Sequence, residues 1–150
     1  MAHIAFVLVG LVSTFLTGTQ AWRARRGAGS PASASVARYF RPGVNWPGRS
    51  LYAVFVLGVL LVLMSRRFYG FDDPFVEIGL VIWIVCIGLA EMVIWPGERQ
   101  LQRVLSEPES GPDRARDIPD LNGLGIRVAV TAWIVCAALI VAIVLMVSKP

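Results

Sequence analysis

Charge is scarce in this chain and missing from long parts of it. Only 16% of its 150 residues are Asp, Glu, Lys or Arg, against roughly 25% in soluble domains. Histidine occurs once, as His3, which excludes a bis-histidine haem site or a histidine-rich zinc or copper site within a single copy. The two cysteines, Cys86 and Cys136, have no CxxC spacing and sit inside apolar runs, so they report no redox compartment. They are expected to pack as small hydrophobes. Lysine also occurs once, at Lys149, while the other thirteen basic residues are Arg, a bias that fits a GC-rich bacterial genome. There is no Walker loop, GxSxG elbow, HExxH or dinucleotide fingerprint, so no enzyme class has a motif to stand on.

What is abundant is apolar surface, 56% of the residues, and it is segregated. Four continuous apolar runs, 4–22, 50–64, 75–95 and 126–147, alternate with segments that hold nearly all the charge. A helix needs ~20 residues to cross the hydrocarbon of a bilayer. Three of the runs meet that length, and the second reaches it by borrowing Gly48, Arg49 and Ser65, with Arg66 snorkelling. None of the runs alternates as a barrel strand does. The expectation is an all-α membrane protein, a single domain over 1–150 built as a four-helix transmembrane bundle.

Basic residues set the expected orientation. Segments 23–49 and 96–125, together with Arg127, hold eleven of them, against Arg66, Arg67 and Lys149 on the other side. Positive-inside bias places those two loops in the cytoplasm, giving an up-down-up-down path with both termini outside the bacterial inner membrane. Trp22, Trp46 and Trp95 then mark the inner interface, and Phe68, Tyr69, Phe71 and Phe75 the outer one. The basic residues precede no apolar run at the start of the chain, so a cleaved secretory signal is not expected. The net charge of +4 is assigned to topology and anionic lipid, not to nucleic acid.

The loops carry signals of their own. Ser30-Pro31 suits the start of a short helix through Val36, Arg38 and Tyr39, stopped before Pro42. Trp95-Pro96-Gly97 is expected to break the third span. Beyond it Leu101, Val104 and Leu105 recur at helical spacing beside Glu98, Arg99, Gln102 and Arg103, predicting an amphipathic helix on the membrane surface. The stretch 106–120 reads as a loop, and Asp120 or Asn122 is a candidate cap for the last helix.

Four residues are singled out for chemistry. Glu91 lies inside the third span, where a carboxylate is costly and often functional. Glu77 precedes it by fourteen residues, about 21 Å along the same helix and on nearly the same face. The two are candidates for an ion path. The plainer reading leaves each near an interface, solvated or paired, with Arg127 and Arg49 the nearest candidates for Glu91. Glu91 is expected to face the bundle interior, with Arg127, Arg49, Gln20 or a hydroxyl of the first span as its partner. His3 is a candidate haem or metal ligand. Small residues at helical spacing, Gly10, Ser13, Thr14, Thr17 and Gly18 above all, predict close helix packing.

The opening Ala2-His3-Ile4-Ala5, the Trp95-Pro96 followed by Glu98 and Leu101, and the closing Met146-Val147-Ser148-Lys149-Pro150 carry a resemblance across the layout of the chain. It resembles a family of uncharacterised small bacterial integral membrane proteins, a domain of unknown function. That family is distantly similar to copper resistance protein D and the J-type protoporphyrinogen oxidase. The resemblance implies that His3 matches the histidine opening the first helix of the haem-handling relatives. The further histidines and the mid-membrane lysine of those relatives have no counterpart here.

Three functional readings follow, in order. The first is a non-enzymatic structural or accessory subunit of a membrane complex, whose partners are the lipid bilayer and other membrane subunits or itself, with no cofactor, metal or nucleic acid. The second is a small proton- or cation-coupled transporter or channel using Glu91 and Glu77. The third is a haem- or metal-handling membrane protein using His3.

Overall fold

A computed structural model describes residues 2–25, 33–65, 70, 71, 73–106 and 121–148. Helices account for nearly all of them: α1 (Ala2–Ala24), α2 (Ser33–Tyr39), α3 (Trp46–Met64), α4 (Pro74–Leu89), α5 (Trp95–Ser106) and α6 (Leu121–Ser148). A π-helical turn, Ala90–Ile94, joins α4 to α5. Four helices are long and apolar enough to cross a membrane: α1, α3, α4 with its continuation, and α6. The chain is a multi-pass membrane protein. The expected snorkelling of Arg66, the outer aromatics Phe68 and Tyr69, the cap Asp120 and the start Ser30-Pro31 fall outside the described residues.

The distribution of side chains inverts that of a soluble protein. In α1 the buried residues are Gly10, Ser13, Thr14, Thr17, Gly18, Ala21 and Ala24, one stripe at helical spacing. Ile4, Leu8, Val12 and Phe15 on the same helix are all more than half exposed. Large apolar residues outside and small ones inside suit a solvent of lipid tails, where helices associate by close approach and not by hiding apolar surface from water.

The small residues are used for that approach. A Cβ added at Gly18 would lie 3.0 Å from the Ala132 methyl of α6, and one at Gly125 of α6 only 2.7 Å from the Ala21 carbonyl oxygen of α1. Against α3, a Cβ at Gly10 would meet the Ser50 hydroxyl at 3.0 Å. Hydroxyls inside this packing find acceptors. Thr14 Oγ1 donates to the Gly10 carbonyl at 2.8 Å, and Ser50 Oγ to the Phe6 carbonyl at 3.3 Å. Cys86 and Cys136 are free and buried, packed as the sequence suggests. Thus α1 packs on both α3 and α6, α4 packs on α6, and α3 and α4 make few contacts with each other.

Two expectations change. The helix does not break at Trp95-Pro96-Gly97. Pro96 has no N–H to donate, and the wide turn just before it lets the Trp95 N–H bond back to the Ala90 carbonyl, so the helix runs on into α5. Trp95, assigned to the lipid interface, is 6% exposed and lies in the core with Leu51, Ile94 and Val135. The amphipathic helix itself is present. Leu101 is fully buried, while Arg99 and Arg103 are exposed.

The Gly125 contact is with backbone, which cannot swing aside. Gly125→Val should therefore lower the stability of the purified protein by ~1–3 kcal/mol, the usual cost of overpacking. Gly88→Ala has open space around its added Cβ and should change stability little. Denaturant titration in detergent measures both, and equal losses would contradict the packing described.

Candidate functional site

The four residues named from the sequence are not brought together. Glu77 is exposed in the first turn of α4, and Arg127 is exposed on α6. Glu91 sits on the π-helical turn, exposed and hydrogen-bonded to Tyr52 of α3. The expectation that Glu91 faces the bundle interior is not met. The turn aims it at the seam between α3 and α4, away from the small face of α1. Of its expected partners, Arg49 stacks over the Trp95 ring at 5.1 Å, and Gln20 keeps its Oε1 buried without a partner. His3 is half-buried, with its ring so near Gly58 of α3 that a Cβ added there would lie 3.3 Å from Cε1, and its Nδ1 is buried without a partner. Among the described residues no three His, Cys, Asp or Glu side chains gather as a metal site.

The structure instead gathers polar groups around Asn45. This residue precedes Trp46-Pro47-Gly48, with proline in the first turn, and caps α3 by accepting the Gly48 N–H on Oδ1 at 3.2 Å. Capping fixes the amide, which leaves Nδ2 free to donate elsewhere. It donates to Glu98 Oε1 of α5 at 3.0 Å and, more weakly, to Thr17 Oγ1 of α1 at 3.5 Å. Ser13 Oγ donates to Oδ1 at 3.4 Å, and Thr17 shares a 2.8 Å bond with the Tyr39 hydroxyl at the end of α2. Glu98 is 6% exposed and Thr17 2%. Asn45 thus ties α1, α3 and α5 to one amide, and Thr17 joins α2 to the same network.

Beneath this network Val36 and Phe40, at α2, pack with Leu101 of α5, Ala21 and Ala24 of α1 and Val128 of α6. Phe40 and Leu101 are the largest fully buried side chains, so the bulkiest buried residues lie at the end of the bundle closed by α2 and α5. A buried carboxylate needs partners to offset its lost hydration. Glu98 has the Asn45 amide, with Arg49 and Arg99 close enough to act on it electrostatically. The sequence carried a signal for this site. Ile94, Glu98, Leu101 and Leu105 lie on one helical stripe, and Asn45 followed by Pro47 is a helix-start pattern.

The second structural feature is a cleft of about 350 Å³ between α3 and α4, walled mainly by Phe55, Val59, Val62, Phe75, Leu80 and Trp83. Phe55 and Trp83 stack across it with ring centroids 4.3 Å apart, and Trp83 Nε1 donates to the Leu51 carbonyl at 2.9 Å.

Substitution at Glu98 separates its hydrogen bond from its charge. Glu98→Gln retains an acceptor for Asn45 Nδ2 and should be nearly neutral, whereas Glu98→Leu strands the amide and should cost ~1–3 kcal/mol. Thermal unfolding of both variants in detergent checks this, and a Leu variant as stable as the Gln variant would show that the bond holds nothing.

No family model, no curated protein and no solved structure matches the chain.

Proposed function

We propose that the protein is a non-enzymatic structural or accessory subunit of a bacterial inner-membrane complex. The observation that carries this reading is where the polar groups go. Ser13, Thr17, Tyr39, Asn45 and Glu98 bond to one another and hold helices together. The two carboxylates proposed from the sequence as an ion path, Glu77 and Glu91, are on the outer surface of the bundle. A carboxylate on the outer face of a span favours a neighbour over a pore. Haem or metal chemistry at His3 gains no support from a ring seated against Gly58 with Nδ1 buried.

The orientation belongs to the same proposal. Contacts of α1 with α3 pass from Ser13–Asn45 at one end to His3–Gly58 at the other. Those with α6 pass from Ala21–Gly125 to Leu11–Cys136. Both orders support an up-down-up-down path, and the basic loops support placing α2 and α5 in the cytoplasm with both termini outside.

Two measurements test this. Membrane-impermeant thiol reagents applied to intact cells should label Gly70→Cys and Ser148→Cys but not Ser30→Cys or Pro112→Cys, and the reverse pattern would invert the orientation. Purification from native membranes in mild detergent, followed by native mass spectrometry, should find the chain in fixed stoichiometry with other membrane subunits. Recovery of the chain alone, with a cation or proton flux in liposomes that Glu91→Gln abolishes, would replace this reading with transport.

A further inference from the structure

The seam between α3 and α4 is a long face of the described bundle that its own helices leave largely open. Helix α3 leans on α1 and α4 leans on α6, so the pair diverge and leave the 350 Å³ cleft between them. Followed along α3, the seam runs from Ser65 at one end of the cleft, past the stacked Phe55 and Trp83, to Tyr52, which meets Glu91. From Ser65 to Tyr52 is about 20 Å of helix, two-thirds of a hydrocarbon core. One seam therefore offers an apolar trough and, at its far end, a carboxylate.

That carboxylate is incompletely served. Among the described residues Glu91 takes a hydrogen bond from Tyr52, while both side chains remain exposed. A carboxylate has about four acceptor positions, and an exposed one on a span is costly without a partner. The nearest basic head on α3, that of Arg49, is directed over Trp95. The π-helical turn that carries Glu91 is a form often found at functional sites.

We propose that this seam is the docking site for one membrane-spanning helix of a different protein, carrying a Lys or Arg at the depth of Glu91 and apolar residues that fill the trough. The inference rests on the accessory-subunit reading and names the partner's chemistry. Charge decides among the possible occupants. A second copy presenting the same seam would set Glu91 against Glu91, and like charges meeting across an interface repel. A lipid tail fills the trough but brings no cation, an anionic headgroup is repelled by Glu91, and a headgroup ammonium stays at the interface while Glu91 lies within the span Pro74–Leu105. A basic residue on a partner span supplies both the charge and the missing donors.

Photo-crosslinking in the native membrane tests the site. Benzoylphenylalanine replaces Leu80, in the trough wall, or Phe15, on the exposed face of α1. At Leu80 a discrete protein adduct is expected, whose crosslinked peptide, sequenced by mass spectrometry, comes from a membrane span containing Lys or Arg. Phe15 should crosslink lipid. In the Leu80 background, Glu91→Lys should lower the adduct about tenfold by opposing like charges and Glu91→Gln several-fold, with unfolding in detergent unchanged because Glu91 is exposed. An adduct with the chain itself, lipid adducts alone at Leu80, a partner span lacking a basic residue, or indifference to Glu91→Lys would each overturn the proposal. A co-purifying partner that crosslinks at Phe15 in place of Leu80 would overturn the site and leave the accessory role standing. The absence of any co-purifying partner would overturn both.

Discussion

The bundle depends on how closely α1 can approach its two neighbours. Among lipid tails there is little to gain by hiding one leucine behind another, so association rests on dispersion, hydrogen bonds and short interaxial distance. Gly10 and Gly18 on α1 and Gly125 on α6 supply that distance, each leaving too little room for an unyielding Cβ. The hydroxyls of Thr14 and Ser50 and the thiol of Cys136 return bonds to backbone carbonyls on or beside α1, so the small face is also internally satisfied. The bulk excluded from this face reappears outside, as Ile4, Leu8, Val12 and Phe15.

The open seam follows from the same constraint. Because α1 takes α3 on one flank and α6 on the other, α4 is left to pack on α6, and the outermost pair α3 and α4 meet through a few side chains, Phe55 on Trp83 and Tyr52 on Glu91. At the end carrying α2 and α5 the rule changes. There Val36, Phe40 and Leu101 are buried in the manner of a soluble core, and a capping asparagine reaches a buried glutamate. Packing of this kind is what apolar burial from water favours. The protein is therefore held by two kinds of packing, joined through Thr17, which belongs to the small face of α1 and to the Asn45 network alike.

Much of this was legible in the residues. The four spans are visible as runs of the right length, and the small face of α1 was readable from Gly10, Ser13, Thr14, Thr17 and Gly18 alone, because helical spacing needs no knowledge of a partner. Continuity through Pro96 was not legible. A π-helical turn leaves no mark in hydrophobic periodicity, and proline usually ends a helix. Glu91 was expected inside because a carboxylate on a span needs a partner, and it lies outside because Tyr52 of α3 meets it there. The Asn45–Glu98 bond joins positions 53 residues apart, with two whole spans and the loop between them intervening. Each residue bears a local signal, a cap and an apolar stripe, but nothing local pairs them.

The claim on which the rest stands is that α1 presents its small residues inward and its large ones to lipid. Oxygen-accessibility measurements on single spin labels along α1, in lipid nanodiscs, test it directly. High accessibility at positions 8, 12 and 15 with low accessibility at 13, 14, 17 and 21, alternating at the helical period, is the predicted result. Uniform accessibility along the helix, or a maximum at 13 and 17, would contradict it.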